Sequence, residues 1–515
     1  MKITGMKTFF LRNYLIPHEA LFFLSAWCFS ALWYGEVFLM AREYSFFVFD
    51  GMLMQDVLRQ PWGYLWAVGR GCLTLFAYPW LGGLAVAALL TAGSYLAGRL
   101  LCLPSRLRAL QYLPAAACLF WWTWQGFDAF VYTEPGKMLG IPLGATALLA
   151  AAALITCTPP LRRCLRKKES PDAMGLAAAL FAAVTLPFCA GLYGAHARPY
   201  VRTTARLQHL LAEQQWDEMI RTAQAYEGSN RQVAAYHAIA LHHTGRLLEE
   251  LFNIRYDFEP IKMTFRNGAP TDGHDIYEAD CDLHAGLLQT AYRKDMELNV
   301  LDGIRTSRLK RMVKYALAKG ETNLALRYLY VLSRQPFEGR FTDRCLPMAQ
   351  SSEAACADAE LAFLRQACPT SDLFENYLTE PPFIGYYSAL RQPANKTQAD
   401  AATAAALYTK QMAYFLYHAE AYVRQGGMMP NAVGDALALA YANGKLPQPE
   451  SRWLTPYLER LTAFSRATGG QTDPDPETGC RLFGTYRGYY PYYYFFGNRT
   501  PNEYGTHPNE EGGVN

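Results

Sequence analysis

Long apolar runs occupy residues 20–195, whereas residues 201–515 mix apolar and polar positions at the charge density of a soluble protein. The last long run ends near Tyr200. A helix needs about 20 apolar residues to cross the hydrocarbon core of a bilayer, and five runs approach that length. We therefore predict five membrane-spanning helices, at about residues 20–40, 80–102, 110–127, 141–158 and 174–193.

Residues 45–78 differ from these spans because charges interrupt the apolar pattern. Asp50, Asp56, Arg59 and Arg70 alternate there with phenylalanines and tryptophans. Aromatic and charged side chains together are typical of segments that lie in the bilayer interface. The pattern therefore predicts an interfacial segment between the first two spans.

Basic residues are distributed unevenly among the loops. The N-terminus, the loop around Arg106 and the run Arg162–Lys168 carry excess Lys and Arg, while residues 41–78 and 128–140 do not. With five spans, the three basic segments fall on one side of the membrane. The positive-inside rule makes that side the cytoplasm, so the N-terminus is expected there and residues 201–515 are expected outside.

The second part of the chain shows apolar positions at helical spacing, in short runs that end near Gly or Pro. Residues 307–319 and 321–333 form one such pair around Gly320, with Ala325 at the expected helix crossing. Recurring helical pairs of about 34 residues indicate a tetratricopeptide-like repeat, here in a degenerate form. Residues 402–424 predict one helix, and residues 253–299 predict a loop with one helix.

The predicted fold class is all-α. A bundle of about five transmembrane helices precedes an extracytoplasmic helical-repeat solenoid. The predicted domains are a transmembrane domain at 1–200, a soluble helical-repeat domain at 201–480, and an aromatic segment with a disordered tail at 481–515.

Composition excludes some functions. The net charge of +3 argues against a general nucleic-acid binder, which would show a basic face. Twelve cysteines are present, and the five in the soluble part match no zinc signature. In an oxidising compartment up to two disulfides could form among them. These five are Cys281, Cys345, Cys356, Cys368 and Cys480.

Acidic residues in the loops between the spans are the candidate catalytic groups. Membrane glycosyltransferases that use lipid-phosphate sugar donors place acids in their first outer loop, beside an amphipathic helix. Asp50, which is followed by an amphipathic segment, fits that layout. The catalytic candidates are Asp50, Asp56 and Asp128, whose carboxylates could bind a divalent metal or act as a general base. The simpler interpretation, which we favour, is that these acids lie at an aqueous interface where charge costs little.

The stretch HDIYEADCDLH, residues 274–284, combines ligand types that zinc uses. His274, Asp280, Cys281 and His284 are its candidate ligands. Their spacing matches no zinc finger and no HExxH helix, and acid-rich loops are common. The stretch is thus a weak candidate for a metal site.

An aromatic block near the C-terminus has two interpretations. It could be a partner-binding surface, because tyrosine is enriched at interfaces. It could also be a plug that packs along the last helices of its own chain, which we favour because so many exposed aromatics would promote aggregation. The candidate contact residues are Tyr489, Tyr490, Tyr492, Tyr493 and Tyr494.

Three segments carry a resemblance to a known group of proteins. They are SFFVFDGMLMQDVLRQPWGYLWAVGRG with FAYPWLGGLAVAALL, SRLKRMVKYALAKGETNLALRYLYVLSRQPF, and the tail containing YYYFFGN. Together they resemble an uncharacterised family of Bacteroidetes inner-membrane proteins. The resemblance implies a bacterial inner-membrane location and a periplasmic tetratricopeptide-like region, and it implies no activity.

The predicted function is a membrane-anchored scaffold. Solenoids present long grooves that bind extended peptides or proteins, so the expected partners are the lipid bilayer and a periplasmic protein or peptide. Such a protein needs no cofactor, and no nucleic acid is expected. The alternative is an envelope glycan enzyme of the lipid-linked saccharide transferase type, with a site at the outer membrane face. A transporter component is a weaker alternative.

Overall fold

Helices account for nearly all regular secondary structure in the computed structural model of this chain. One short antiparallel strand pair is also present, in which Phe265 lies opposite Pro270 and Arg266 opposite Ala269. The predicted helical class is therefore confirmed. The structure describes residues 18–156, 173–257, 265–266, 269–270, 276–369, 392–425, 429–446, 452–470 and 476–497.

The helices of the apolar part differ widely in length. The α-helices are His18–Trp27, Gly35–Glu43, Gln55–Leu58, Gly63–Leu73, Pro79–Leu100, Leu113–Gln125, Lys137–Thr156 and Ala173–Ala197. A π-helix at Cys28–Trp33 and 3-10 helices at Thr74–Ala77, Ser105–Tyr112 and Gly126–Ala129 connect them.

Shorter helices follow Ala197. The α-helices are Pro199–Ala212, Trp216–Gln224, Arg231–Thr244, Leu247–Glu250, Glu278–His284, Leu288–Asp302, Thr306–Lys319, Thr322–Ser333, Gly339–Gln350, Ser352–Ala357, Ala359–Ala367, Lys396–Tyr408, Met412–Gln425, Asn431–Ala442, Thr455–Ala467, Pro476–Tyr486 and Tyr490–Phe496. The 3-10 helices are Leu251–Asn253 and Arg452–Leu454.

Three helices in the described residues are long and apolar enough to cross a membrane: Pro79–Leu100, Lys137–Ile155 and Ala173–Ala197. The pair His18–Trp33 and Gly35–Glu43 passes the same test together, although its two parts are bent by 62°. Counting that pair as one broken span gives four crossings. The protein is therefore compatible with a membrane location.

The span predicted at residues 110–127 is not among these helices. Its α-helix, Leu113–Gln125, has 13 residues, and the eight preceding residues form the 3-10 helix Ser105–Tyr112. The first predicted span is interrupted rather than continuous, because the π-helix ends at Trp33 and a new helix begins at Gly35. Hydropathy alone reports neither break.

The chain divides into two compact units. The first unit consists of Met1–Ala205, Gly303–Ser307 and Tyr330–Thr342. The second unit consists of Arg206–Asp302, Arg308–Leu329 and Asp343–Asn515.

Small and hydroxyl residues allow close helix packing in the first unit. A side chain at Gly69 would lie 2.1 Å from the backbone oxygen of Gly136, so only glycine fits where these backbones meet. Ser25 donates a hydrogen bond of 2.5 Å to the backbone oxygen of Ala183, and Ser30 donates one of 3.2 Å to that of Gly83. Such bonds join apolar helices where the hydrophobic effect between them is weak.

Consecutive helices pack against each other in the second unit, as helical pairs should. Trp216–Gln224 packs on Arg231–Thr244, and Asn431–Ala442 packs on Thr455–Ala467. However, Leu247–Glu250 also packs on Lys396–Tyr408, far along the chain. A solenoid contacts only its neighbouring repeats, so these contacts do not establish a regular repeat array.

Two local predictions in this unit were wrong. Residues 402–424 form two helices, because Lys410 adopts a left-handed backbone with φ of 57° and ends the first of them. Residues 253–299 contain the helices Glu278–His284 and Leu288–Asp302 rather than one helix in a loop. The predicted disordered tail at residues 498–515 lies outside the described residues.

Ala325 lies in helix Thr322–Ser333 and has no solvent exposure. We expect Ala325→Trp to lower the free energy of unfolding by about 1–3 kcal/mol or more, because a large ring must be forced into a packed site. Thermal unfolding of the full-length protein in detergent measures this loss. Asn323→Trp, at an exposed position of the same helix, is the matched control. Equal melting temperatures for the two variants would contradict the prediction.

Candidate functional site

Asp50, the first catalytic candidate in the sequence, is held in an ion pair. Its carboxylate lies 2.7 Å from the Arg334 guanidinium and accepts a hydrogen bond of 2.9 Å from the backbone N–H of Met52. The Met52 hydrogen bond and the Arg334 charge lower the pKa of Asp50. A general base works best with a pKa near the working pH, so this carboxylate is a poor base for catalysis.

The other two catalytic candidates have separate environments. Asp128 lies 3.5 Å from Arg198, and Asp56 is exposed in the first turn of a short helix. Within the described ranges, no three His, Cys, Asp or Glu side chains come together in a way that could hold a metal ion. The structure therefore does not join Asp50, Asp56 and Asp128 in one metal site.

A buried ion pair holds the late segment Tyr330–Thr342 in the first unit. Arg42 pairs with Glu338 at 2.5 Å, and the two side chains are only 9% and 3% exposed. Arg42 also donates a hydrogen bond of 3.3 Å to the backbone oxygen of Phe337. A buried charge requires such a partner, so Arg42 and Glu338 specify where this segment binds.

The other late segment, Gly303–Ser307, is fixed by backbone groups. The backbone N–H of Thr306 donates to the oxygen of Ser45 at 3.2 Å, and its hydroxyl donates to the same oxygen at 2.6 Å. Arg305 donates a hydrogen bond of 2.6 Å to the backbone oxygen of Val131. This segment is thus an integral part of the first unit.

Arg70, one of the charges of the predicted interfacial segment, is also paired. Its guanidinium donates two hydrogen bonds to the Glu134 carboxylate, at 2.6 and 2.8 Å, and a third of 3.1 Å to the backbone oxygen of Phe46. Burial alone would raise the pKa of Glu134, but the Arg70 hydrogen bonds and charge outweigh it and lower that pKa. The pair explains how both charges are accommodated in an apolar region.

The predicted metal ligands that the structure describes, Asp280, Cys281 and His284, do not form a metal site. Asp280 pairs with Arg311 at 3.1 Å, and Cys281 is buried as a free thiol whose pKa is raised by burial. His284 is engaged by another histidine, and His274 lies outside the described residues. One short helix carries Asp280, Cys281 and His284. The Asp280 carboxylate and the His284 imidazole each have a partner on another helix.

Four of the five cysteines considered for disulfides are free thiols: Cys281, Cys345, Cys356 and Cys480. Cys281 and Cys345 are buried, which raises the pKa of each thiol. Cys356 and Cys480 are exposed, and Cys368 is partly exposed.

His243 forms a cluster that sequence inspection missed. Its ring lies between the rings of Trp216 and Phe363, with centroids 3.9 and 3.8 Å away, and its Nε2 lies 2.9 Å from Nδ1 of His284. Burial, together with neighbouring positive charge that includes Lys314, lowers the pKa of both histidines. Both are therefore neutral near pH 7, and the hydrogen bond links two helices.

Glu360 is a buried acid of the second unit with several polar partners. Its carboxylate is 2% exposed and contacts Lys314 at 2.5 Å, Arg344 at 3.2 Å and the Gln214 amide at 2.6 Å. Burial alone would raise the pKa of Glu360, but Lys314 and Arg344 outweigh burial and lower it. The carboxylate joins residues from several parts of the unit, which makes it a structural group.

Asp435 is a buried acid whose negative charge is less well balanced by neighbouring positive charge than that of Glu360. Its side chain is fully buried, and its charged partner, Arg460, lies 3.2 Å away with a half-exposed side chain. Burial raises the pKa of Asp435 to about 7, although Arg460 opposes that shift. Asp435 therefore titrates near neutral pH.

The aromatic block forms the helix Tyr490–Phe496 and the turn before it. Tyr489, Tyr490 and Tyr493 are buried, and the Tyr493 hydroxyl donates a hydrogen bond of 2.6 Å to the backbone oxygen of Tyr408. This is packing within the chain, as the plug hypothesis predicts, and it leaves these three unavailable at the surface. Tyr492 and Tyr494 are partly exposed, and partner binding by them stays a prediction.

One helix of the second unit ends in exposed apolar residues. In Leu288–Asp302, Met296 is 41% exposed, Val300 82% and Leu301 72%. We call these three residues the apolar helix end. Neighbouring exposed apolar side chains make this helix end a candidate contact surface. No local motif signalled this site, because a run ending in valine and leucine also occurs in buried helices.

Comparison with known proteins gives one match, to the family of unknown function DUF6057, over residues 130–497. The chain belongs to this family. No curated protein and no solved structure matches it. The region shared with DUF6057 includes the apolar helices Lys137–Thr156 and Ala173–Ala197, and it ends after the tyrosine-rich helix. Membership confirms the expected uncharacterised family and assigns no chemistry to these residues.

Proposed function

We propose that this chain is a membrane-anchored scaffold whose second unit binds an apolar segment of a protein or peptide. The observation that carries the proposal is the apolar helix end, Met296, Val300 and Leu301. Burying such side chains on association contributes about 25 cal/mol for each Å² removed from water. A protein or peptide partner with a matching apolar surface would supply that burial.

The way the late segments bind in the first unit also supports a scaffold. Gly303–Ser307 and Tyr330–Thr342 belong to that unit, so the chain passes between the two units repeatedly rather than once. The two units are thus connected at several points along the chain, which suits a protein that presents a binding surface at a membrane.

The alternative function, an envelope glycan enzyme, depended on the candidate catalytic acids, and their environments do not favour it. Asp50 has a lowered pKa and an arginine partner, and the candidate acids form no metal site among the described residues. His243 and His284 are neutral and could exchange protons, but each already uses one ring nitrogen in their mutual hydrogen bond. A transporter component stays the weaker alternative, and no specific contact favours it.

Two substitutions separate the scaffold from the enzyme. We expect Asp50→Asn to complement a deletion strain fully, because it removes one surface ion pair, and such pairs contribute little to stability. We expect Val300→Asp to fail in the same assay, because a charge at the apolar helix end blocks burial of that surface. Protein level and melting temperature are measured in parallel, since surface changes usually alter stability by less than about 0.5 kcal/mol.

Val423→Asp is the matched control for this experiment, because Val423 is also an exposed valine on a helix of the second unit. It should complement as well as the unchanged chain. Loss of complementation by Asp50→Asn at normal protein level would contradict the scaffold and favour the enzyme. Full complementation by Val300→Asp would exclude the apolar helix end as the partner surface.

We further propose a bacterial inner-membrane location, with a cytoplasmic N-terminus and the tetratricopeptide-like part in the periplasm. This orientation requires an odd number of crossings, so the four counted with the bent pair need a fifth. The helices Ser105–Tyr112 and Leu113–Gln125 could supply the fifth together, because rises of about 2.0 and 1.5 Å per residue give a length of about 35 Å. That length exceeds the ~30 Å hydrocarbon core.

A reporter that is active only in the cytoplasm tests the orientation when it is fused after Asn515, which leaves the whole chain intact. Five crossings predict a silent reporter, since the C-terminus is then periplasmic. The same reporter fused after Arg106, on the predicted cytoplasmic side, should be active. Activity of both fusions would support four crossings and contradict the periplasmic assignment.

A further inference from the structure

Two exposed aromatic residues of the first unit have an unusual backbone. Trp62 and Phe337 have φ angles of 65° and 66°, in the left-handed region that bulky residues rarely adopt. Their side chains are 76% and 46% exposed. Such backbone strain persists where the surrounding structure holds it, and it is concentrated at functional positions.

The surroundings of Phe337 show where its ring is held. Arg42 binds the backbone oxygen of Phe337 and the carboxylate of the next residue, Glu338. The Phe337 ring meets Tyr78 edge-on, with centroids 5.9 Å apart. Tyr78 directly precedes Pro79, the first residue of a helix long and apolar enough to cross a membrane. Phe337 therefore lies beside the end of a candidate membrane span.

Other exposed apolar side chains lie around the ion pair between Asp50 and Arg334. Phe49 is 88% exposed and Met52 is 86% exposed, and they flank Asp50 in the chain. The Arg334 guanidinium lies over the ring of Tyr330, 5.7 Å from its centroid. The two charges compensate each other at 2.7 Å, which lowers the cost of placing the group next to lipid.

We propose that Phe49, Met52, Tyr330 and Phe337 form a patch that lies in the bilayer interface and binds lipid. The late segment Tyr330–Thr342 is then a membrane-contacting element, although it lies more than a hundred residues beyond the last apolar run. Aromatic side chains favour the headgroup level, where the ring is partly dehydrated and polar atoms remain wet. Continuity with the end of Pro79–Leu100 points to lipid rather than to a protein as the occupant.

This inference rests on the proposed membrane insertion. Photocrosslinking tests the lipid-binding patch and the membrane insertion separately. The full chain is reconstituted into vesicles of phosphatidylethanolamine and phosphatidylglycerol, with benzoylphenylalanine in place of Phe337 or, in a second protein, of Tyr330. A probe at Leu148, which is 74% exposed within an apolar helix, reports membrane insertion. A probe at Tyr417, 58% exposed in the second unit, is the control for non-specific reaction.

We expect lipid adducts, identified by mass spectrometry, from the probes at residues 337, 330 and 148, and at least tenfold fewer from the probe at 417. Adducts from 148 without adducts from 337 and 330 would overturn the lipid patch and leave membrane insertion intact. Absence of adducts from all four would overturn both proposals. In native membranes, crosslinks from 337 and 330 to protein instead of lipid would assign the patch to a partner and also overturn this inference.

Discussion

Glu360→Ala should destabilise the second unit by about 3–5 kcal/mol, the cost of leaving a buried ionic partner unpaired. The wild-type carboxylate contacts Lys314, Arg344 and Gln214, and Lys314 is only 15% exposed. Alanine would leave the Lys314 ammonium without its anion and with little access to water. Thermal unfolding of the detergent-solubilised protein measures the loss, and a partly unfolded or poorly expressed variant is the extreme outcome.

Glu459→Ala is the control, because Glu459 is exposed in helix Thr455–Ala467. It should change the free energy of unfolding by less than about 0.5 kcal/mol. The pH dependence gives a further check, since the pKa of Glu360 is lowered in the folded state. Its contribution is present above the unfolded pKa of about 4.3 and is lost as the pH falls through the lower folded pKa. If the stability difference between the wild type and Glu360→Ala persisted unchanged well below pH 4, it would not come from the ionised Glu360 carboxylate.

Asp435→Asn should stabilise the protein at pH 8 and should do so clearly less at pH 5. The pKa of Asp435 is raised to about 7 by burial, so the folded state binds a proton that the unfolded state, with a pKa of about 3.9, has released. Stability then declines as the pH rises from about 4 to 7. At about 1.4 kcal/mol per pH unit, the gain on removing the charge is on the order of 2–4 kcal/mol.

Melting temperatures of the wild-type and variant proteins at pH 5 and pH 8 test this prediction. Asp343→Asn is the control, because Asp343 is exposed, and it should give the same small shift at both pH values. A variant that is less stable than the wild type at pH 8 would show that the ion pair with Arg460 outweighs the burial cost. The prediction would then be wrong.

Local patterns predicted several features correctly because they depend on neighbouring residues. The apolar helices Pro79–Leu100 and Ala173–Ala197 follow from the length of two apolar runs. The helix break at Gly320 follows from a glycine between two amphipathic segments, and its φ of 78° is one that glycine adopts without strain. Helical periodicity and turn residues are properties of short windows, so they can be read before folding is considered.

The pairing of charges was decided by the tertiary structure alone. Asp50 and Arg334 are 284 positions apart, and only their pairing shows that an apparent catalytic acid is part of a structural contact. His243 and His284 form a hydrogen bond between helices that no spacing rule relates. Tertiary packing also decided which tyrosines of the tail are buried.

The sequence by itself thus determined the helical class, the apolar helices and the membrane-compatible character of the first part. The tertiary structure decided that Tyr330–Thr342 belongs with the apolar helices and that Asp435 is buried beside a half-exposed arginine. The physical reason is the separation along the chain between the residues that interact. Helix formation and apolar length depend on residues within a few turns, whereas a buried charge is tolerated or destabilising according to partners that only folding brings near.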